Sequence, residues 1–393
     1  MNAGAADDVR RFLLDQGVPE ARIDQALAED QVHLLVLDSV ILRGEPRYTG
    51  PELASLTAVP LDELKRFWRA LGFPDVDDDE RFFTEADREA AVTVTGMLAR
   101  GSTDEGVALQ LSRVIGSSMA RIAEAELSAS PVGAGRDSAE QAWLLARTAD
   151  ATFPAFSLVL DYVWRRHLQA AARRATLSPA DHTAGANQRW LAVGFVDMVG
   201  FTALSQQLSE EALARVVTRF EATAYDTVAR MGGRVVKMIG DEAMFVAQEV
   251  DAAARIGLEL ADAYGDDEML SDVRVGLAAG AVLAQDGDYY GPVVNLAHRI
   301  VKIANPGSVL VDEAVHDGLA DHDEFASKGL RLRYLKELGR VPLWVLIRPG
   351  EAARRPTNRI RGRARRPGAL ALLNEGHRLR IERTRDRHPP REG

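Results

Sequence analysis

The sequence contains no cysteine among its 393 residues. Disulfide bonds, thiolate metal sites and cysteine nucleophiles are therefore excluded, and the composition suits a reducing compartment. No apolar run approaches the roughly 18–20 residues that span a bilayer as a helix. The first residues, MNAGAADDVRRF, lack the basic start and apolar centre of a signal peptide. We therefore expect a cytoplasmic protein without a transmembrane segment.

Positive charge is scarce except at the C-terminus. The formal net charge is −10, yet residues 351–393 contain thirteen arginines against five acidic residues. The rest of the chain is consequently acidic, and we expect no specific nucleic acid as a partner. Runs of like charge are usually solvated, so the basic tail 351–393 is predicted to be disordered.

Residues 1–177 are predicted to form an all-helical domain, since apolar residues recur at helical spacing and strand-like alternation is nearly absent. Thr49 and Thr84 each precede a carboxylate by three residues, which predicts two capped helix starts. The last helix is expected to begin near Phe156, just past Pro154. Residues 178–187, rich in small and polar residues, are predicted to be a linker.

From Trp190 the periodicity changes, and residues 188–350 are predicted to form a second domain. WLAVGFV is a buried strand, RVVKM and EAMFVA form a hairpin around Gly240-Asp241, and VRVGLAAGAV is a further strand. Helices are expected at about 205–230, at 251–264 and in PVVNLAHRIVKIA. This order predicts an α+β fold with a ferredoxin-like β-α-β-β-α-β core. LRLRYL and PLWVLIR are expected to close it as a hairpin.

Two aspartates are predicted to meet at one edge of this sheet. Asp197 lies at the exit of the first strand and Asp241 lies in the turn of the central hairpin, and these elements are neighbours in the split topology. Two close carboxylates repel unless cations separate them, which indicates divalent metal. Two hard cations stabilise an attacking oxygen and a leaving phosphate together. Each aspartate alone is more typical of a turn cap.

The segment after Asp197 has features of a phosphate site. Gly200 permits a close turn, and the backbone amides of Val199 to Thr202, including that of Phe201, precede a helix. Such amides bind phosphate oxygens with help from the helix dipole.

Three segments in this order, FVDMVGFT, KMIGDEAMF and DYYGPVVNLAHR, resemble the signature segments of the class III nucleotidyl cyclases. The resemblance covers about residues 188–350. It implies that Asp197 and Asp241 bind two metal ions, Mg²⁺ or Mn²⁺. It also implies that Lys237 and Asp288 recognise adenine.

The same resemblance implies catalytic roles for Asn295 and Arg299, which orient the ribose and stabilise the transition state. The implied reaction converts ATP to cyclic AMP and pyrophosphate. In the family, the metal aspartates come from one subunit and the adenine and transition-state residues from its partner, which implies a homodimer with composite active sites.

The sequence departs from the family pattern in the triphosphate site. Many members have a basic residue where this chain has Ala281. Another lysine near the C-terminus usually contacts the triphosphate, and here Lys336 and Arg340 are both candidates.

The layout also resembles two-domain actinobacterial cyclases, which implies that residues 1–177 regulate the catalytic domain. The alternatives are a guanylyl or diguanylate cyclase, or a nucleotide-binding protein without activity. A further alternative is a DNA-binding regulator, because RYTGPELASLTAVPLDELKRFWRALGF resembles the helix-turn-helix of MerR-type proteins. The DVDDDE segment that follows would repel phosphates.

Overall fold

The computed structural model describes residues 3–41, 44–100, 104–129, 138–177, 187–335 and 337–351. The chain divides into two compact units, Met1–Ala180 and Asp181–Gly393. Almost all of the predicted linker, the tail beyond Glu351 and the candidate phosphate ligand Lys336 lie outside the described residues.

The N-terminal unit is built from helices. Their bounds are α1 Ala3–Asp15, α2 Glu20–Ala28, α3 Val32–Ile41, α4 Gly50–Thr57, α5 Leu61–Ala70, α6 Glu85–Ala99, α7 Glu105–Ala129 and α8 Ser138–Leu177. One isolated β-bridge, Tyr48–Phe83, is added to them within the described part of this unit. Apolar residues of α1, α2, α3 and α8 share one buried core, which includes Leu13, Ile23 and Val36.

Both predicted helix caps are present. Thr49 accepts a hydrogen bond from the amide of Glu52, whose carboxylate accepts one from the amide of Thr49 at 3.0 Å. Thr84 and Asp87 exchange the same pair of bonds at the start of α6. Each exchange satisfies two amides that the first turn of a helix leaves without partners.

The expected helix start near Phe156 was wrong. Helix α8 runs unbroken from Ser138 to Leu177 and contains Pro154 in its interior. A proline removes one backbone donor from a helix, but the flanking sequence is rich in alanine and leucine, which favour the helical state. One missing bond does not end a helix of 40 residues.

The C-terminal unit is α+β, as predicted. Its first strands and helices are β1 Gln188–Met198, α9 Phe201–Ser205, α10 Glu210–Arg230, β2 Arg234–Ile239, β3 Glu242–Ala247, α11 Val250–Asp266 and β4 Val273–Gln285. Then follow β5 Asp288–Tyr290, α12 Pro292–Ile303, β6 Val309–Val311, α13 Glu313–Gly318, β7 Ala326–Gly329, β8 Arg333–Leu335, β9 Gly339–Val341 and β10 Trp344–Ile347.

The main sheet has the strand order β2-β3-β1-β4-β6-β10-β7, and β5 pairs with β4. Its first four strands have the order of a ferredoxin-like fold, in which the central hairpin lies beside the first strand.

The predicted closing hairpin between LRLRYL and PLWVLIR was wrong. Strand β8 pairs with β9 in a separate two-stranded sheet, whereas β10 pairs with β6 and β7. Glu337 and Gly339 have φ values of 70° and 78°, and this local turn folds β8 back onto β9. Strand β10 therefore pairs with β6 and β7 in the main sheet instead of with β8.

Helices cover both faces of the sheet. Alternate residues of β1 point to opposite sides, as strand geometry requires. Ala192, Val196 and Met198 pack with α10 and α11, and Val193 and Phe195 pack with α12. By this alternation, the side chain of Asp197 points to the α12 face.

Close packing at one glycine fixes the position of α12. A Cβ atom built on Gly276 of β4 would lie 2.4 Å from the backbone nitrogen of Val301 and 2.8 Å from the backbone oxygen of Ala297. Only glycine leaves room for the helix backbone at this distance. The helix therefore lies directly on the strand.

Candidate active site

Asp197 and Asp241 are brought to the same edge of the sheet. Asp197 is the penultimate residue of β1, and Asp241 lies in the tight turn between β2 and β3. The amide of Met198 donates to the backbone carbonyl of Asp241 at 2.9 Å, which joins the strand end to the turn. Asp197 is buried, with 3% of its surface exposed, and Asp241 is partly buried.

A cluster of charges surrounds Asp197, and sequence reasoning missed its other members. Asp197 lies directly across from Glu242 on β3 and from Arg274 on β4, so all three side chains share the α12 face. Arg274 contacts one carboxylate oxygen of Asp197. Lys302 of α12 contacts the other at 2.9 Å and also contacts Glu242. Glu242 is 3% exposed and also has His298 at 3.4 Å.

The cluster changes the acid–base properties of Lys302. Partial burial by itself would lower the pKa of this ammonium group. Its hydrogen bonds to Glu242 and Asp197 outweigh that effect and raise the pKa above its ordinary value. Lys302 therefore stays protonated beside two buried carboxylates.

Lys237 and Asp288 contact each other across β2 and β5. Their side chains form a salt bridge, with 37% of the lysine and 22% of the aspartate side chain exposed. Asp288 also accepts a hydrogen bond from the amide of Tyr289 at 2.8 Å. The structure thus brings together the two residues that are predicted from the sequence to recognise adenine.

A β-bulge in β2 determines which way Lys237 points. Arg234 pairs with Val246 and Lys237 pairs with Met244, with a register shift between Val235 and Lys237. The extra residue, Val236, places Arg234 and Lys237 on the same face of the sheet although they are three positions apart. A regular strand would direct Lys237 to the opposite face. The bulge therefore puts Lys237 on the same face as Asp197.

Arg234 is a second basic residue on this face. Its guanidinium donates to the Tyr289 hydroxyl at 3.1 Å and lies 5.4 Å from the centre of the tyrosine ring. Tyr289 follows Asp288 in β5, so Arg234 fixes the strand that carries the predicted adenine acceptor.

Asn295 and Arg299 lie on α12, one helical turn apart. Asn295 is exposed, whereas Arg299 is partly buried and contacts Glu337 at 3.1 Å. Lys302 follows on the same face of the helix, since residues three and four apart are neighbours. One helix thus carries both predicted catalytic side chains and the lysine that contacts Asp197.

The predicted phosphate-binding turn has the conformation that its glycine suggested. Gly200 has φ 76° and precedes the short helix α9, which begins with Phe201 and Thr202. The amide of Val199 is already used, because it donates to the carbonyl of Asp272 at 2.9 Å. Ala281 is exposed and lines an open groove with Tyr290 and Gly291.

The donor set around Asp197 fits a hard divalent cation. Asp197, Asp241 and Glu242 contribute carboxylate oxygens, the ligand type that suits Mg²⁺ and Mn²⁺; those of Asp197 and Glu242 are paired with basic side chains here. Another group, Asp251, His322 and Glu324, has ligand atoms within 4.8 Å of one another. It contains neither predicted aspartate.

One guanidinium contacts both carboxylates of that second group. Arg255 contacts Asp251 and also Glu324. Ion pairs therefore engage this group at the start of α11, as they engage Asp197 and Glu242.

The helix-turn-helix resemblance in the N-terminal unit is also reflected in structure. Helices α4 and α5 are separated by residues 58–60, and Trp68 lies 5.1 Å from Phe83 between ring centres. The basic residues of α5, however, each face a carboxylate. The pairs are Lys65–Asp78 at 2.6 Å, Arg66–Glu105 at 2.6 Å and Arg69–Asp75 at 3.6 Å. Cations paired in this way are poorly available to DNA phosphates.

Comparison with known proteins finds a matching family for each of the two units. Residues 4–132 match the family model "Adenylate cyclase regulatory domain", and residues 186–346 match "Adenylate and Guanylate cyclase catalytic domain". An adenylate cyclase of Streptomyces coelicolor is 38% identical over 77% of this chain and 79% of its own length. The chain belongs to the adenylate cyclase family. An adenylate cyclase of Glutamicibacter nicotianae is 34% identical over 81% of this chain and 82% of its own length.

This adenylate cyclase therefore carries the cyclase catalytic domain after a helical region that matches the regulatory-domain family. An adenylate cyclase of Streptomyces griseus is 34% identical over 78% of this chain and 77% of its own length. Catalytic domains of this family use divalent metal ions. Among the described residues, no helix has the length and apolar character needed to cross a membrane.

Proposed function

We propose that the enzyme converts ATP to cyclic AMP and pyrophosphate with two divalent ions, Mg²⁺ or Mn²⁺, at composite sites of a homodimer. The observation that carries this proposal is the junction of Asp197 and Asp241 at the end of β1, made by the hydrogen bond from Met198 to Asp241. It brings two aspartates to one edge of the sheet, which supports their assignment as hard ligands for the two ions.

In the proposed reaction the ribose 3′-oxygen forms a bond to the α-phosphorus of ATP. The bond from that phosphorus to the oxygen bridging to the β-phosphate breaks, and the 3′-hydroxyl loses its proton. Two bound divalent ions would stabilise the attacking oxygen and the charge on the phosphates. Asp197 and Asp241 would hold them.

Base selection is assigned to Lys237 and Asp288. The ammonium group donates a hydrogen bond and the carboxylate accepts one, which matches the ring nitrogen and exocyclic amine of adenine. The carbonyl of guanine reverses that polarity. Their mutual salt bridge keeps the donor and the acceptor side by side, which supports their assignment to one base and hence to ATP over GTP.

Asn295 is assigned to the ribose and Arg299 to the transition state. A guanidinium can donate two parallel N–H hydrogen bonds to phosphate oxygens. This contact strengthens as negative charge develops on those oxygens in the transition state. The turn at Gly200, Phe201 and Thr202 is assigned to the phosphates through its amides. Lys336 or Arg340 would complete the triphosphate contacts that Ala281 cannot make.

The position of Asn295 along α12 supports a site shared between two chains. Asn295 precedes Lys302, which contacts Asp197, by seven residues. At about 1.5 Å of rise per residue, this corresponds to roughly 10 Å along the helix. Asn295 is exposed and lies outside the charge cluster around Asp197. This supports a site in which Asn295 of one chain acts together with Asp197 and Asp241 of the other.

Control by the N-terminal unit completes the proposal. We assign residues 1–177 to regulation, 178–187 to a linker, 188–350 to catalysis and 351–393 to a basic tail. The match of residues 4–132 to the regulatory-domain family supports this division.

The test is an assay of purified protein with ATP or GTP and either Mg²⁺ or Mn²⁺, in which the cyclic product is identified directly. Cyclic AMP formation that requires metal is expected, with little cyclic GMP. Asp241→Ala should reduce turnover by at least about 100-fold, since it removes a metal ligand, while circular dichroism remains that of the wild type. Full turnover by this variant, or a preference for GTP, would contradict the proposal.

A further inference from the structure

We propose that Lys302 is an internal counter-cation for Asp197 and Glu242, and that a divalent ion binding Asp197 must displace its ammonium group. The inference rests on the proposed function, because it takes Asp197 as a metal ligand. It adds to that function a residue that opposes metal binding and thereby sets the metal concentration at which the site fills.

Both carboxylate oxygens of Asp197 are engaged by cations. Lys302 Nζ lies 2.9 Å from Oδ1, and Arg274 Nη2 contacts Oδ2. A hard ion coordinated by Asp197 needs one of these oxygens. Each oxygen keeps a second lone pair, but a divalent ion bound there would lie beside the positive charge of the lysine or the arginine. Repulsion between these like charges therefore favours displacement of one of the two basic groups.

Of the two basic side chains that contact Asp197, Lys302 is the one that can be displaced. It reaches the cluster from α12 on a flexible four-carbon stem, and 44% of its side chain is exposed. Arg274 comes from the adjacent strand directly opposite Asp197, and 26% of its side chain is exposed. A compact ammonium group that withdraws from the cluster is readily hydrated. We therefore assign the displaced contact to Lys302, the more exposed of the two basic groups.

Asp197 and Glu242 need a neutralising cation even when no metal ion is bound. Asp197 and Glu242 are each 3% exposed and lie directly opposite each other on β1 and β3. Two buried carboxylates so placed repel each other. Lys302 contacts both of them, so it neutralises the same pair of charges that a divalent ion would neutralise.

Lys302→Met in the full-length chain tests this inference, because it removes the charge and keeps the length of the side chain. Lys328→Met is the matched control, since Lys328 is exposed on β7. Mn²⁺ binding is measured without nucleotide by the electron paramagnetic resonance signal of free Mn²⁺. The rise in Tm on adding Mn²⁺ is a second readout.

We expect Lys302→Met to lower the Kd for Mn²⁺ by about tenfold, because the competing charge is gone. Its Tm without metal should fall, and the Tm rise on adding Mn²⁺ should exceed that of the wild type. Lys302→Arg, which keeps a positive charge, should remain close to the wild type. Lys328→Met should match the wild type in both measurements.

An unchanged or weaker Mn²⁺ affinity in a folded Lys302→Met protein overturns the inference. If that variant does not fold, Lys302→Gln gives the same comparison and keeps a donor for Glu242. If neither folds with or without Mn²⁺, Lys302 is a structural residue and the inference is wrong.

Asp197→Asn separates this result from failure of the proposed function. If the wild-type protein binds no Mn²⁺ that depends on Asp197, the proposed metal site is wrong as well. If Asp197-dependent binding exists but is equal in wild type and Lys302→Met, only the role of Lys302 is wrong.

Discussion

At the scale of single residues, base choice is expected to depend on the ion pair between Lys237 and Asp288. Replacing both, as Lys237→Glu with Asp288→Cys, reverses the donor at one position and removes the acceptor at the other. We expect kcat/KM for ATP to fall by at least about 100-fold, because a site built to hydrogen-bond its substrate rejects a partner that leaves buried groups unpaired. The ratio of kcat/KM for GTP to that for ATP should rise.

Lys328→Glu is the control for the lysine replacement, since it makes the same Lys-to-Glu change at an exposed residue of β7. It should leave both values of kcat/KM near those of the wild type. If the double variant uses ATP as well as the wild type does, these two residues do not select the base.

The candidate metal ligands were visible in the sequence, but most of their surroundings were not. Asp197 and Asp241 could be predicted from their places in the split topology. Arg274 and Lys302 follow Asp197 by 77 and 105 positions, and their contacts depend on strand register and on the packing of α12. Glu242 was adjacent to a predicted ligand, yet only its pairing opposite Asp197 reveals it as part of the cluster.

At the scale of elements, the close packing of α12 against β4 is expected to depend on Gly276. Gly276→Ala would place a methyl group 2.4 Å from the backbone nitrogen of Val301, so helix and strand must move apart. Overpacking of this kind typically costs about 1–3 kcal/mol. We expect a lower free energy of unfolding and at least about tenfold lower turnover, because α12 carries Asn295 and Arg299.

Gly318→Ala is the matched control, because its nearest new contact is a side-chain methyl of Val250 at 3.3 Å. It should change the free energy of unfolding by less than about 1 kcal/mol. Urea unfolding and an activity assay of both variants decide the question. Equal behaviour of the two alanine variants would mean that α12 does not depend on close packing at Gly276.

Asp312, the N-cap of α13, makes stability depend on pH. Desolvation by burial raises the pKa of this carboxyl to about 6, although the amide of Val315 donates to it at 3.0 Å. The folded state therefore holds a proton between about pH 4 and pH 6 that the unfolded state has already lost. The contribution of Asp312 to stability is present below about pH 4 and is lost as pH rises through 6.

Asp312→Asn removes this titration and keeps a side chain that can cap α13. The difference in free energy of unfolding, variant minus wild type, should become more favourable to the variant by about 2–3 kcal/mol between pH 4 and pH 8, at about 1.4 kcal/mol per pKa unit. Urea unfolding at several pH values measures it. A difference that stays constant with pH would show that Asp312 does not titrate in this range.

Local signals predicted elements well where short-range chemistry decides them. The caps at Thr49 and Thr84 and the hairpin at Gly240-Asp241 depend on residues within a few positions of one another. The pairing of β10 with β6 and β7 depends instead on how distant strands are arranged in the sheet, and alternation in LRLRYL gave no information on that. The passage of α8 through Pro154 was likewise missed, because the cost of one proline is offset by the rest of a long helix.

At the scale of the whole molecule, we expect deletion of residues 1–177 to change turnover, with an increase as the predicted direction. The basis is the match of residues 4–132 to a regulatory domain and the separate buried core within that unit. Specific activity of the two proteins is compared at equal concentrations of folded chain. Identical kcat and KM would mean that the N-terminal unit does not control catalysis.

The last prediction concerns assembly. The chain has one copy of each motif, so two identical chains related by a two-fold axis would form two equivalent composite sites. In such a dimer Asp241 of one chain and Asn295 of the other serve the same reaction. Asp241→Ala and Asn295→Ala should each be nearly inactive when pure. A mixed dimer would have one site lacking both groups and one site intact.

Mixing the two variants should therefore restore activity, up to half of the wild-type value per mixed dimer. Asp241 suits this test better than Asp197, because Asp197→Ala would also remove the carboxylate that pairs with Arg274 and Lys302. Subunit exchange is verified with chains carrying different affinity tags, which isolate the mixed dimer for assay. An isolated mixed dimer without activity would place all the catalytic groups of each site within one chain, because only then does each variant inactivate its own site alone.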